Sequence, residues 1–94
     1  MQKTNPQIAA VIPCYKVTEH ILDVVESIGP EVSTIYIVDD ACPDRSGEFV
    51  QKRSNDKRIN YIFHSENKGV GGAVVSGYKA ALESGADVVV KLDG

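Results

Sequence analysis

Three carboxylates stand at the downstream ends of hydrophobic runs: Asp39 and Asp40 after TIYIV, and Asp93 after ADVVVKL. Acids gathered at one cleft repel each other unless a cation lies between them. A divalent metal with oxygen ligands, Mg²⁺ or Mn²⁺, is the natural counter-ion and would bring substrate phosphates with it. The alternative is that Asp39, Asp40 and Asp44 fill turn and N-cap positions, which Asp does readily. Asp44 fits that alternative better. For Asp39 and Asp40, the presence of Asp93 on the same sheet edge favours a binding role.

A second constellation is NKGVGGAVVSG at 67–77. Gly69, Gly71 and Gly72 at a strand-to-helix turn let backbone approach a ligand, and the helix N-terminus favours anions. It is not the dinucleotide fingerprint, because Val74 stands where the third glycine belongs and the segment does not follow the first strand. No G-K-S/T follows, so it is not a P-loop. Tight helix-on-sheet packing explains Gly77 better than Gly69. His20 reads as an exposed helix residue and His64 as a strand-exit residue without a ligand role. Cys14 and Cys42 follow neighbouring strands and read as small buried side chains in a reduced, cytosolic setting.

These residues need elements to bring them together. IAAVI at 8–12, TIYIV at 34–38, INYIF at 59–63 and ADVVVKLD at 86–93 read as strands, the first closed by Pro13. Between them, Ile21, Leu22, Val24, Val25 and Ile28 fall at helical spacing, with Thr18 as N-cap and Gly29-Pro30 as the stop. DRSGEFVQKRS reads as a short helix with Phe49, Val50 and Arg53 on one side. VGGAVVSGYKAALESG places Val70, Val74, Tyr78, Ala81 and Leu82 on one face and ends at Gly85. Strand and helix in strict alternation predict an α/β fold: a Rossmann-like parallel sheet sandwiched by helices. Near-continuous apolar strands agree, since parallel strands are buried on both faces. Ligands of such sheets bind at the carboxyl ends of the strands, where all four exits carry polar or special residues.

Ninety-four residues suffice for one small domain with a thin core. A net charge of −3 argues against a nucleic-acid footprint, which carries a basic stripe. The apolar run before Pro13 is too short for a signal peptide, and nothing approaches the ~20 apolar residues of a membrane span.

Four segments, in order, resemble inverting family 2 glycosyltransferases, and most closely the polyprenyl-phosphate mannosyl- and glucosyltransferase branch. VIPCYK resembles the family's V-I-P-x-Y-N, and IVDDACPDRSG its I-V-D-D-x-S-x-D-x-(S/T). ENKGVGGAVVSGYKAAL resembles N-x-G-x-G-x-A-x-x-x-G, and ADVVVKLDG the strand leading into D-x-D. The resemblance implies the first half of the glycosyltransferase-A fold, which binds a UDP- or GDP-sugar. It implies that Pro13 and Tyr15 line the nucleotide pocket, with Asp39 and Asp40 around base and ribose. Asn67, Lys68 and Gly69 would border the nucleotide end. Asp93, as first acid of D-x-D, would lie close to a Mg²⁺ or Mn²⁺ bridging the diphosphate. Polyprenyl phosphate is the implied acceptor, and the cytoplasmic face of a membrane the implied place of the parent protein.

Lys16 departs from the family's Asn, Glu19 is displaced from the usual acid, and Ala41-Cys42 replaces Gly-Ser. Gly94 is the middle residue of D-x-D. Residues 1–94 are therefore expected to be a donor-binding N-terminal part, truncated within that motif, with no catalytic residue of its own. With sheet order 3-2-1-4 the last strand lies at an edge, and self-association through 87–92 is expected. The rival from another class is a receiver-type signalling domain with Asp93 as phosphoacceptor; against it, its acidic pair belongs after the first strand.

Overall fold

Every apolar run forms a strand and every helical pattern a helix. The computed structural model describes residues 6–16 and 18–93, so Gly94 lies outside the described residues. The elements are β1 (Ile8–Cys14), α1 (Ile21–Glu26), β2 (Val32–Asp39), α2 (Ser46–Arg53), β3 (Ile59–Phe63), α3 (Gly69–Glu83) and β4 (Val88–Lys91). All strand pairs are parallel, in the order β3-β2-β1-β4. This is the expected sheet.

Alternation along the two central strands splits the core between two faces. Ala10, Ile12, Cys14, Ile35 and Ile37 pack with Ile21, Val25 and Val50 of α1 and α2. Ala9, Val11, Tyr36 and Val38 pack with Ala73 and Ala81 of α3. Burial on both faces explains why these strands read as continuous apolar runs.

β1 runs two residues beyond the expected stop, through Pro13. A proline in a central strand would cost a ladder bond. Here the pairing of β1 with β4 ends at Val11, whose carbonyl accepts the Leu92 N–H at 2.9 Å. Parallel strands direct alternate residues to the same neighbour, so an N–H at position 13 would point to the β4 side beyond the last pair. Nothing is lost there, and the sheet opens.

Two expectations are corrected. Thr18 does not cap α1: the helix begins at Ile21, with His20 in the cap position and no side-chain cap bond, and ends at Glu26 rather than at Gly29. The turn after it is held from a distance instead. The Arg58 guanidinium donates to the carbonyls of Ile28, Gly29 and Val32 at 2.7–3.0 Å while paired with Asp56 at 2.7 Å.

The buried face of α3 is the expected one only in part: Ala81 is buried and Gly77 packs on the sheet as expected, but the large residues are not beneath the helix. Ala73, Gly77 and Ala81 meet the sheet, whereas Val70 and Leu82 are 63% and 65% exposed and Tyr78 is exposed as well. A Cβ at Gly77 would collide with Val11, so the helix sits too low on β1 for large residues to lie beneath it. A stripe of small residues is selected, and the larger apolar ones flank it. Gly85, at φ +91°, follows the helix end in the left-handed conformation that closes helices.

Candidate functional site

At the carboxyl edge, where β4 stops pairing, Pro13, Cys14, Tyr15, Asp40, Val70, Ala73 and Asp93 surround a hollow of 190 Å³. An adjoining hollow of 330 Å³ is lined by Tyr15, Asp40, Asn67, Gly69 and Val70. Together they reach the ~300–1,000 Å³ range of small-molecule sites. Of the eight residues expected at the site, Pro13, Tyr15, Asp40, Asn67, Gly69 and Asp93 line these hollows. Asp39 and Lys68 do not. Cys14, Val70 and Ala73 line them without having been expected to.

Asp39 and Asp40 part company because adjacent residues at a strand end face opposite sides of the sheet. Asp39, 5% exposed, turns toward α2: Oδ1 accepts the Cys42 N–H and Oδ2 the Gly47 N–H, each at 2.8 Å. Gly47 lies in the first turn of α2, where the helix dipole favours a negative charge. The carboxylate thus pins the β2–α2 turn. The turn keeps its shape with Ala41 at φ +55°, a left-handed conformation that glycine adopts without strain.

Asp40 turns toward α3. Its Oδ1 accepts the Lys68 N–H at 2.8 Å and lies 2.8 Å from His64 Nδ1, while Asn67 Nδ2 donates to its backbone carbonyl at 3.2 Å. Burial pushes the carboxyl pKa up, but the hydrogen bonds from His64, Lys68 and Gly69 outweigh it and hold the group below the usual carboxylate range. Asp40 is therefore ionised at neutral pH. Lys68 contributes its amide, and its side chain lies over Gly72.

The acids at this edge do not share one set of partners. Among the described residues, no three His, Cys, Asp or Glu side chains come together as a metal cage. Amide and imidazole donors satisfy the two inner acids separately. Asp93 differs: its side chain is 86% exposed and carries an ion pair with Lys91 at 3.0 Å.

The glycines serve different ends. Gly69 has φ +80° and open space around it, so backbone conformation demands it, at the wall of the second hollow. Gly77 is demanded by packing, as expected from its position.

The cysteines are free and buried. Burial, reinforced by the Asp39 and Cys42 charges, pushes the Cys14 thiol up to about 12, so it lines the hollow as an inert apolar group. Cys42 Sγ accepts the Lys16 N–H at 3.0 Å, tying the loop after β1 to the loop after β2. His64 and Arg58 escaped sequence reasoning. Asp56 is a local partner of Arg58, but the carbonyls that Arg58 meets and both ring partners of His64 lie 12 to 30 residues away, so no local pattern marks those contacts.

Residues 9–94 match the family described as glycosyl transferase family 2. The undecaprenyl-phosphate mannosyltransferase of Micrococcus luteus is 33% identical over 91 residues, covering 93% of this chain and 37% of that protein. The UDP-N-acetylglucosamine–dolichyl-phosphate N-acetylglucosaminyltransferase of Methanococcus voltae is 32% identical over 100 residues, covering 92% and 40%. The dolichol-phosphate mannosyltransferase of Pyrococcus furiosus is 30% identical over 91 residues, covering 93% and 25%. The chain thus spans well under half the length of these relatives. A receiver-type reading gains no support from these matches. Among the described residues, no helix is long and apolar enough to cross a membrane.

Proposed function

Because this chain belongs to glycosyl transferase family 2, we propose that residues 1–94 form the donor-binding part of a transferase that moves a sugar from a UDP- or GDP-sugar to a polyprenyl phosphate, with inversion. One observation carries the reading. The ends of β1, β2 and β4 and the start of α3 enclose a hollow in which Asp40 and Asp93, far apart in sequence, come together. The relatives' names supply the acceptor class.

In this reading Pro13 and Tyr15 form one wall for the nucleotide, and Asn67 and Gly69 the other. Lys68 acts through its amide on Asp40, and Asp39 acts from the opposite face by fixing the turn that precedes α2. Asp93 is an exposed oxygen donor at the rim, which fits Mg²⁺ or Mn²⁺, ions held by one or two carboxylates with substrate phosphates and water completing the shell. Such an ion, when bound, stabilises charge on the departing nucleoside diphosphate. The acceptor phosphate, already anionic at neutral pH, is its own nucleophile, and the residues that receive it belong to the remainder of a longer protein at the cytoplasmic face of a membrane. These 94 residues bind donor without turning it over.

Isothermal titration of the chain with UDP-N-acetylglucosamine and GDP-mannose, with and without Mn²⁺, tests the reading. Binding of one donor that requires Mn²⁺ and falls about tenfold in Asp93→Ala, a loss of about 1.4 kcal/mol, is expected. Absence of Mn²⁺-dependent binding to either would overturn it.

A second expectation concerns the sheet edge. β4 pairs on one side only, and Val88 and Val90 are exposed along it. An apolar, unpaired edge recruits another strand. Sedimentation velocity is expected to show concentration-dependent dimers that Val90→Lys abolishes; a monomer at high concentration would contradict this.

A further inference from the structure

The His64 side chain is only 6% exposed, and both ring nitrogens are engaged. Nδ1 lies 2.8 Å from Asp40 Oδ1 and Nε2 lies 2.8 Å from Ser76 Oγ. Its own backbone N–H donates to the Asp39 carbonyl at 2.9 Å, which fixes where the ring starts. The ring therefore spans the gap between the exit of β2 and the middle of α3. Nothing in the proposed reaction uses it.

Asp40 is the carboxylate common to both hollows, so its orientation decides what a ligand meets. A carboxylate pivots about the bond to its β-carbon. The Lys68 amide alone sits on the loop before α3 and would move with that loop. His64 adds a second donor to the same oxygen, anchored on the body of the helix through Ser76. A neutral ring satisfies both contacts as the tautomer that donates from Nδ1 to Asp40 and accepts at Nε2 from the Ser76 hydroxyl. A protonated ring donates to Asp40 as well.

We propose that His64 is the positioning residue of the nucleotide hollow, holding the Asp40 carboxylate in one orientation against α3 through its Nδ1 contact, with Ser76 setting the ring. This rests on the donor-site reading above. It assigns His64 no contact with the donor and no part in proton transfer; its effect is to preorganise the acid that the nucleotide meets.

Two side chains separate this role from simple packing. An asparagine amide places an N–H donor where Nδ1 stands, so His64→Asn keeps the contact to Asp40. A glutamine amide reaches where Nε2 stands, so His64→Gln keeps Ser76 and loses Asp40. Two readouts are taken on the 94-residue chain: amide hydrogen exchange at Lys68, which shares the Asp40 oxygen, and affinity for UDP with Mn²⁺. His64→Gln and His64→Ala are expected to speed Lys68 exchange and weaken UDP about tenfold each, the scale of one lost hydrogen bond to a charged acceptor. His64→Asn is expected to stay within about threefold of the unsubstituted chain in both, since its donor remains. The Gly47 amide, held by Asp39 on the opposite face, is expected to be unaffected in all three.

Equal behaviour of the Asn and Gln variants would overturn the proposal, as would acceleration at Gly47 matching that at Lys68. Failure of the unsubstituted chain to bind UDP overturns the donor-site reading and the ligand half of this inference. The Lys68 comparison then still decides whether His64 orients Asp40.

Discussion

Asp39→Ala is expected to cost the chain about 3 kcal/mol of stability, although the lost side chain lies outside the hollow. Both carboxylate oxygens accept buried backbone amides, Cys42 N–H and Gly47 N–H. Alanine leaves two donors without acceptors in a place that water does not reach, at ~1–3 kcal/mol each. Loss of the negative charge at the start of α2 adds a few tenths to ~1 kcal/mol. Asp39→Asn recovers only part, because its oxygen satisfies one amide while its NH₂ group faces the other. For a domain of this size each kcal/mol moves the melting temperature by roughly 4–8 °C, so thermal and urea melts resolve the series. A loss below about 0.5 kcal/mol, the scale of an ordinary surface change, would show that the two amides find other partners.

Gly77 gives the second large effect, and its sign depends on which of two terms wins. Gly to Ala in a helix interior ordinarily stabilises by about 1 kcal/mol. Here the new Cβ would overlap Val11 Cγ1 and lie 3.0 Å from Cγ2 and 3.2 Å from Cβ. Val11 is fully buried in β1, with β2 and β4 on either side, so it cannot yield. Overpacking at such a site costs ~1–3 kcal/mol, and more for a longer side chain. Gly77→Ala is therefore expected to lower stability by about 1–2 kcal/mol, and Gly77→Leu by ~3 kcal/mol or more. Gly71 is the control: a Cβ there meets nothing within 4 Å, and Gly71→Ala is expected to stabilise by ~0.5–1 kcal/mol. If Gly77→Ala raised the melting temperature, the close seating of α3 on β1 would be wrong.

The sheet was legible because its signal is local. Apolar runs such as IAAVI and TIYIV can be buried on both faces only in a covered parallel sheet; connection length alone does not select the order β3-β2-β1-β4 that the strands take. The α3 face was misread for a reason the sequence hides. Periodicity weights Val70, Tyr78 and Leu82 above Ala73, yet close approach to β1 favours the small residues. The different fates of Asp39 and Asp40 were available in principle, since neighbours on a strand face opposite ways. The His64 ring contacts and the carbonyls gathered by Arg58 were beyond reach, because only tertiary folding brings those partners together. Of the acids that the family motifs single out, Asp40 and Asp93 line the hollow and Asp39 is turned behind it toward α2.

The most direct test is to map backbone amide shifts of the 94-residue chain as a UDP- or GDP-sugar is added with Mg²⁺. Signals of Tyr15, Asp40, Asn67, Gly69 and Asp93 are expected to move together along one saturation curve, with Cys42 and Gly47 nearly still. Shifts centred on α2, or saturation that leaves Asp40 and Asp93 unmoved, would contradict a donor site at this edge.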